Sequence, residues 1–185
     1  VGQIRSLFAD RYGNPGEGFL FPNTAGVYAV SGGASLNSTS TGLGAFGHYY
    51  HFPNGSATLT VTLPACTGFR VHLWWVDGTG AIRYAVDGGS TETSAVSSGT
   101  DTLYHFDVTG LSDATHTVVF TGPASGIASM LGVEAIYEGV PGVPVHRVAL
   151  SGMMLRDYSQ LFDSSSTGAV RKVDSSTDVF DPALV

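Results

Sequence analysis

ATLTVTL, residues 57–63, sets Thr58, Thr60 and Thr62 against Leu59, Val61 and Leu63 in strict alternation. A period of two puts each set on its own face of an extended strand, with the aliphatic set turned to a core. The stretch follows a Pro53-Asn54-Gly55 turn, and His48–Phe52 on the other side of that turn also reads as a strand. Working outward, Phe69–Val76 and Ala81–Val86 are strand-like and joined by Asp77-Gly78-Thr79-Gly80, with a further turn at Asp87-Gly88-Gly89. Leu103–Val108 and Thr117–Thr121 flank a turn at Leu111-Ser112-Asp113-Ala114, and Met130–Tyr137 reads as a closing strand. Residues 24–47 carry weaker signals, VYAV followed by a Gly/Ser/Thr run. Many short strands at regular spacing, with no helix among them, predict a jelly-roll-type β-sandwich over residues 24–139.

Composition agrees. The chain has 25 glycines in 185 residues and only 12% charged residues, which favours all-β architecture with many turns. Net charge is −7 with 8 Lys and Arg, which argues against a nucleic-acid backbone as partner. No run approaches the roughly 20 apolar residues of a membrane helix. Cys66 is the sole cysteine, so no internal disulfide forms, and its place in LPACTGF suits a small buried apolar residue. Asp77 and Asp87 each precede glycine, which is turn chemistry, and the six histidines lack the paired spacing of a zinc site, so neither metal nor cofactor is expected. Two sequons occur, at Asn37-Ser38-Thr39 and Asn54-Gly55-Ser56.

The ends differ from the middle. In residues 1–23, Ile4, Leu7, Phe8 and Tyr12 recur at helical spacing until Gly13-Asn14-Pro15-Gly16 stops the pattern. In residues 140–185, a stiff Val140–Pro144 crossing leads to an apolar run, Val145–Leu150, closed by Ser151-Gly152. Met153–Phe162 then has helical periodicity, and Asp181-Pro182-Ala183-Leu184-Val185 begins a second apolar strand. This strand, helix, strand order is a βαβ unit, which needs a parallel sheet to complete it. The expected architecture is therefore mainly β, a β-sandwich flanked by incomplete α/β segments.

VHRVALSGMMLRDY followed by DPALV resembles the second conserved block of the SGNH (GDSL-type) hydrolases, and VGQIRSLFADRYGNPGEGF is similar to the helix after their nucleophile block. The resemblance covers roughly residues 1–22 and 141–185. It implies a hydrolase domain carrying the β-sandwich as an insertion. It also implies that the N–H of Gly152 is an oxyanion-hole donor, the one functional position that carries over. The catalytic Ser, Asn and Asp/His blocks have no counterpart here, so these residues alone are not expected to hydrolyse esters. Asp113-Ala114-Thr115-His116 matches the Asp-x-x-His form of that family but lies inside the sandwich, where it reads as a turn feeding a strand.

A binding site is sought on the insert. In Phe69–Val76, Arg70, His72 and Trp74 share the face opposite Phe69, Val71, Leu73 and Trp75. A regular hairpin through residues 77–80 would set Trp75 across from Ile82 and Trp74 across from Arg83. Trp74 with Arg83, His72 and Arg70 then forms a candidate sugar platform, an indole face for the apolar side of a pyranose and polar groups for its hydroxyls. The alternative is an indole covered by the parent domain or paired with Arg83. Tyr49, Tyr50 and His51 form a second aromatic group, with at least one tyrosine expected to face the core.

Three functions stay open. The favoured one is the central part of an SGNH-type carbohydrate (acetyl) esterase whose β-sandwich holds a polysaccharide. The others are a glycan- or receptor-binding module of a bacteriophage tail or virion surface protein, and a structural decoration domain. The implied partners are a polysaccharide or cell-surface glycan, the rest of the SGNH-like domain and, among copies of the chain, a homo-oligomer. The implied location is extracellular or virion-associated.

Overall fold

The structure, a computed structural model, describes residues 18–20, 22, 24–38, 48–75, 80–94 and 102–137. Gly152 with the whole 140–185 flank, residues 1–17 of the N-terminal flank and the 77–79 part of the expected turn lie outside the described residues. The described part is all β. Its strands are β1 (Gly18–Leu20), β2 (Tyr28–Ser31), β3 (Ser35–Ser38), β4 (His48–Phe52), β5 (Thr58–Cys66), β6 (Gly68–Trp75), β7 (Arg83–Val86), β8 (Glu92–Thr93), β9 (Thr102–Val108), β10 (Ala114–Thr121) and β11 (Ala128–Ile136).

Two antiparallel sheets pack face to face. The larger runs β3-β4-β11-β6-β9, with β1 also pairing β11, and the smaller runs β2-β5-β10-β7-β8. From β4 to β7, and again from β9 to β11, each successive strand crosses to the opposite sheet of the sandwich.

The alternation seen in the sequence sets the core. Leu59, Val61 and Leu63 of β5 are fully buried, as are Phe69 and Val71 of β6 and Val118 and Phe120 of β10. Aromatic rings lock the sheets together. Phe69 meets Tyr84 and Phe120 edge to face, each at 6.4 Å between centroids, and Tyr84 stacks on Phe106 at 5.2 Å. Such pairs contribute about 0.5–1.5 kcal/mol each beyond the area they bury. Tyr28 adds a polar tie. Its hydroxyl donates to the Leu20 carbonyl at 2.5 Å and accepts from the Val133 N–H at 3.3 Å, joining β2 of one sheet to β1 and β11 of the other. Removal from water raises its phenol far above the ordinary value, against the Val133 N–H that favours the phenolate.

One expectation about pairing is corrected. Phe69–Val76 and Ala81–Val86 do not form a hairpin, because β6 lies between β11 and β9 in the larger sheet while β7 lies between β10 and β8 in the smaller one. Tyr84 gives the reason: paired beside Trp74's strand it could not reach across the core to Phe106 and Phe69. Likewise β9 and β10, which flank the 111–114 turn, belong to different sheets. Residues 24–47, read as loop or weak strand, supply β2 and β3. Gly18–Leu20, placed with the N-terminal flank, pairs antiparallel with Val133–Ala135 of β11.

The Asp113–His116 stretch is structural. His116 is buried, its Nδ1 2.6 Å from Asp87 Oδ2 and its Nε2 2.9 Å from the Ser112 carbonyl, while Asp113 accepts from the Tyr137 hydroxyl. Both partners of His116 are acceptors, so the ring satisfies them as an imidazolium. Asp87 sits at φ 51° before Gly88 at φ 71°, and its Oδ1 also accepts the Thr117 N–H at 2.7 Å. Positive φ at both central turn residues is the type I′ signature that Asp-Gly favours.

This pair makes stability depend on pH. Burial pulls the His116 pKa down, but its bonds to Asp87 and Ser112 outweigh that and leave it above 6.5. The bonds from His116 and Thr117 hold Asp87 below 3.8. A raised pKa stabilises fully below 6.5 and is lost as pH climbs through it, whereas a lowered one stabilises fully above 3.8 and is lost as pH falls through it. Both contributions are therefore complete between those two values. Thermal melts across pH should show stability falling on the alkaline side of 6.5. His116→Gln should flatten that alkaline limb, and an unchanged limb would contradict the assignment.

Candidate functional site

The outer face of the larger sheet gathers the aromatic and polar side chains that the core does not use. Tyr50 and Phe52 of β4 point inward, Tyr50 meeting Tyr28 at 4.9 Å, so Tyr49 and His51 point outward. On β6 the inward set Phe69, Val71 and Leu73 leaves Arg70, His72 and Trp74 outward. Between these strands lies β11, where Ser129 is opposite His51 on one side and Trp74 on the other. Two strand spacings separate His51 from Trp74, about 9.5 Å.

Small, buried Ser129 leaves room above β11 for the rings to lean inward. Tyr49 and Trp74 meet at 6.1 Å between centroids with their planes 80° apart. Both are half-buried, so each keeps part of its ring toward solvent. On the β3 side, Ser35 lies opposite His51 and Asn37 opposite Tyr49, and Ser35 Oγ donates to Asn37 Oδ1 at 3.1 Å. The result is an aromatic corner with a hydroxyl, amide and imidazole fringe.

Toward the other end of the strands the face becomes charged and closed. Arg70 grips Asp107 with two parallel bonds, Nε to Oδ1 at 2.7 Å and Nη2 to Oδ2 at 2.9 Å, and this hydrogen bonding holds the Asp107 carboxyl below its usual range. His72 is 1% exposed, with Nε2 3.5 Å from Glu134 Oε2 and its ring 6.2 Å from that of His105. A register shift between Met130 and Gly132 inserts Leu131 as an extra residue in β11, beside the site.

The four residues expected at a sugar platform therefore separate. Trp74 stays at the aromatic corner. His72 and Arg70 share its face, but His72 is buried beneath it and Arg70 is engaged with Asp107. Arg83 is elsewhere, because its strand is in the other sheet and pairs with Thr121 and Thr93. Its guanidinium donates from Nη2 to the Gly55 and Gly122 carbonyls, each at 2.9 Å, and from Nε to Gly122 at 3.2 Å. The loops it ties are tight: a Cβ on Gly122 would lie 2.1 Å from the Asn54 carbonyl oxygen. Asn54 of the second sequon closes its own turn, accepting from the Ser56 N–H at 2.9 Å and hydroxyl at 2.6 Å.

Sequence reasoning recorded Tyr49 and His51 apart from Trp74 and missed Ser129 and Asp107. The Tyr49–Trp74 meeting spans an intervening strand and 25 positions, which no local spacing reveals. Cys66 is a free, buried thiol raised by burial, as a small core residue would be. Among the described residues, no cluster of three or more His, Cys, Asp or Glu side chains could hold a metal ion.

No protein-family model matches the chain, and no curated protein matches it. Solved structures do. The exo-β-1,3-galactanase of Phanerochaete chrysosporium is similar over 65% of this chain and 29% of its own, at 16% identity and a TM-score of 0.52. A Paenibacillus xanthan lyase is similar over 69% of this chain and 14% of its own, at 8% identity and 0.51. The GH26-CBM35 β-(1,4)-mannanase of Podospora anserina is similar over 78% of this chain and 34% of its own, at 14% identity and 0.50. The chain thus spans about a third or less of each of these proteins. At such identities the likeness is one of fold, and the fold is a β-sandwich.

The role of Arg83 can be checked directly. Arg83→Met should cost about 1.5–3 kcal/mol, the range for hydrogen bonds from a charged donor. Hydrogen exchange should quicken in the loops around Gly55 and Gly122. A stability change within ~0.5 kcal/mol would remove the clamp from the account.

Proposed function

We propose that this β-sandwich is a carbohydrate-binding module and that the outer face of its larger sheet holds the glycan. The observation that carries the reading is the Tyr49–Trp74 pair, outside the core and fringed by His51, Ser35 and Asn37. Aromatic faces take the C–H side of a sugar ring while polar neighbours bond its hydroxyls. Support of a different kind comes from the fold, which is shared with parts of a galactanase, a xanthan lyase and a mannanase. An isothermal titration series with soluble polysaccharides tests it. Trp74→Ala should weaken the binding about tenfold or more, equivalent to ~1.4 kcal/mol, with the fold retained in the melt. Equal affinity of the two proteins would count against the site.

The module belongs, in this reading, to an SGNH-type carbohydrate (acetyl) esterase acting outside the cell or on a virion. The supporting geometry is the pairing of Gly18 with Ala135, which brings the chain before β1 and the chain after β11 within about one strand spacing, ~4.8 Å. Adjacent termini are what allow a domain to be inserted in another. Trp74 lies six residues along β6 from Gly68 near those exits, about 20 Å away, so the glycan would be held clear of the junction. Gly152 would then donate its N–H to the oxyanion. Acetate release from an acetylated polysaccharide should be absent with these 185 residues and present with a longer polypeptide that also carries the catalytic Ser, Asn and Asp/His blocks. Turnover by the 185-residue chain, or none by the longer one, would contradict the esterase reading.

A further inference from the structure

From the same aromatic corner, and resting on the carbohydrate reading, we infer that the ligand is a neutral glycan taken up as a single soluble chain, rather than a crystalline polysaccharide surface or a polyuronate. Two observations carry this independently.

The first is the angle between the rings. A crystalline polysaccharide presents a plane, and a protein meets a plane with aromatic faces that are themselves coplanar. Tyr49 and Trp74 stand 80° apart at 6.1 Å, so a plane laid on one ring meets the edge of the other. The pair forms a corner in place of a platform. A corner fits one sugar ring of a hydrated chain, stacked on one wall and stopped by the other. The polar fringe also lies to one side, on β3 and β4, next to the Tyr49 wall of the corner.

The second is charge. The described residues include two arginines and no lysine, against five carboxylates: Asp87, Glu92, Asp107, Asp113 and Glu134. Both arginines are engaged, Arg70 bidentately with Asp107 and Arg83 with the Gly55 and Gly122 carbonyls of the other sheet's loops. Glu134 stands on the same face as Trp74. A uronate carboxylate is bound most strongly by a guanidinium or ammonium offered to it. Here a polyanion meets an acidic surface on a chain of net charge −7, which opposes association.

The test is affinity electrophoresis in gels containing galactomannan, xylan or polygalacturonate. It is joined by pull-down on microcrystalline cellulose and on chitin, with the full 185-residue chain and its Trp74→Ala and Tyr49→Ala variants. The expected result is retardation by at least one neutral soluble chain, lost at least tenfold in each variant, with no pull-down and no retardation by polygalacturonate. The two variants guard against misfolding of either one, since each is first checked for a cooperative melt. Trp74-dependent capture on cellulose or chitin, or stronger retardation by polygalacturonate, would overturn this inference and leave the carbohydrate reading standing. Binding to none of the five materials would overturn both, as would binding that both variants retain.

Discussion

Phe69 wedged edge to face against Tyr84 and Phe120 is the contact on which the rest of this sandwich depends. It joins the two sheets across the core and fixes which face of β6 is inside. Side chains on a strand alternate, so this one choice also turns Arg70, His72 and Trp74 outward. A slip of one residue would bury Arg70 and Trp74 and empty the core of Phe69, Val71 and Leu73. Core and candidate site are thus two consequences of the same register.

Much of this was legible in the chain. The Thr/aliphatic alternation of residues 57–63 and the in-out pattern of 69–74 are local, and local periodicity is what a single sequence displays. Trp74 outward followed from it, whereas for Tyr49 and Tyr50 it said only that at least one faces the core. Partner choice did not. The hairpin expected between Trp74 and Arg83 assumed that neighbours in sequence pair in space, and here the chain crosses to the other sheet instead. What decides the crossing is the demand of Tyr84 for the aromatic core, a constraint set by Phe69, Phe106 and Phe120 from three other strands. The site suffered the same limit: Ser129 matters only because β11 passes between Tyr49 and Trp74. The extra residue at Leu131 is a backbone event that the run SMLGV does not announce.

The few charges of the sandwich are mostly spent on holding it together. Arg83 ties two loops, Arg70 ties β6 to β9 through Asp107, and Asp87 ties the β7 turn to His116 and Thr117 of β10. These are cross-strand and cross-loop bonds to partners far apart in the chain, which is where a charge-poor β-domain gains most from an ionic hydrogen bond. The consequence is an outer face whose recognition chemistry is aromatic and hydroxylic, with little ionic character to offer.

The proposed glycan site spans the β4, β11 and β6 strands of the larger sheet. Amide chemical-shift mapping during titration with a soluble galactomannan tests that most directly. The shifting amides should cluster at Tyr49 to His51, His72 to Trp74 and Ser129, fading toward Gly68 and Ile136. Shifts gathered instead in the loops around Gly55, Gly80 and Gly122, or on the threonine-bearing outer face of the smaller sheet, would contradict it.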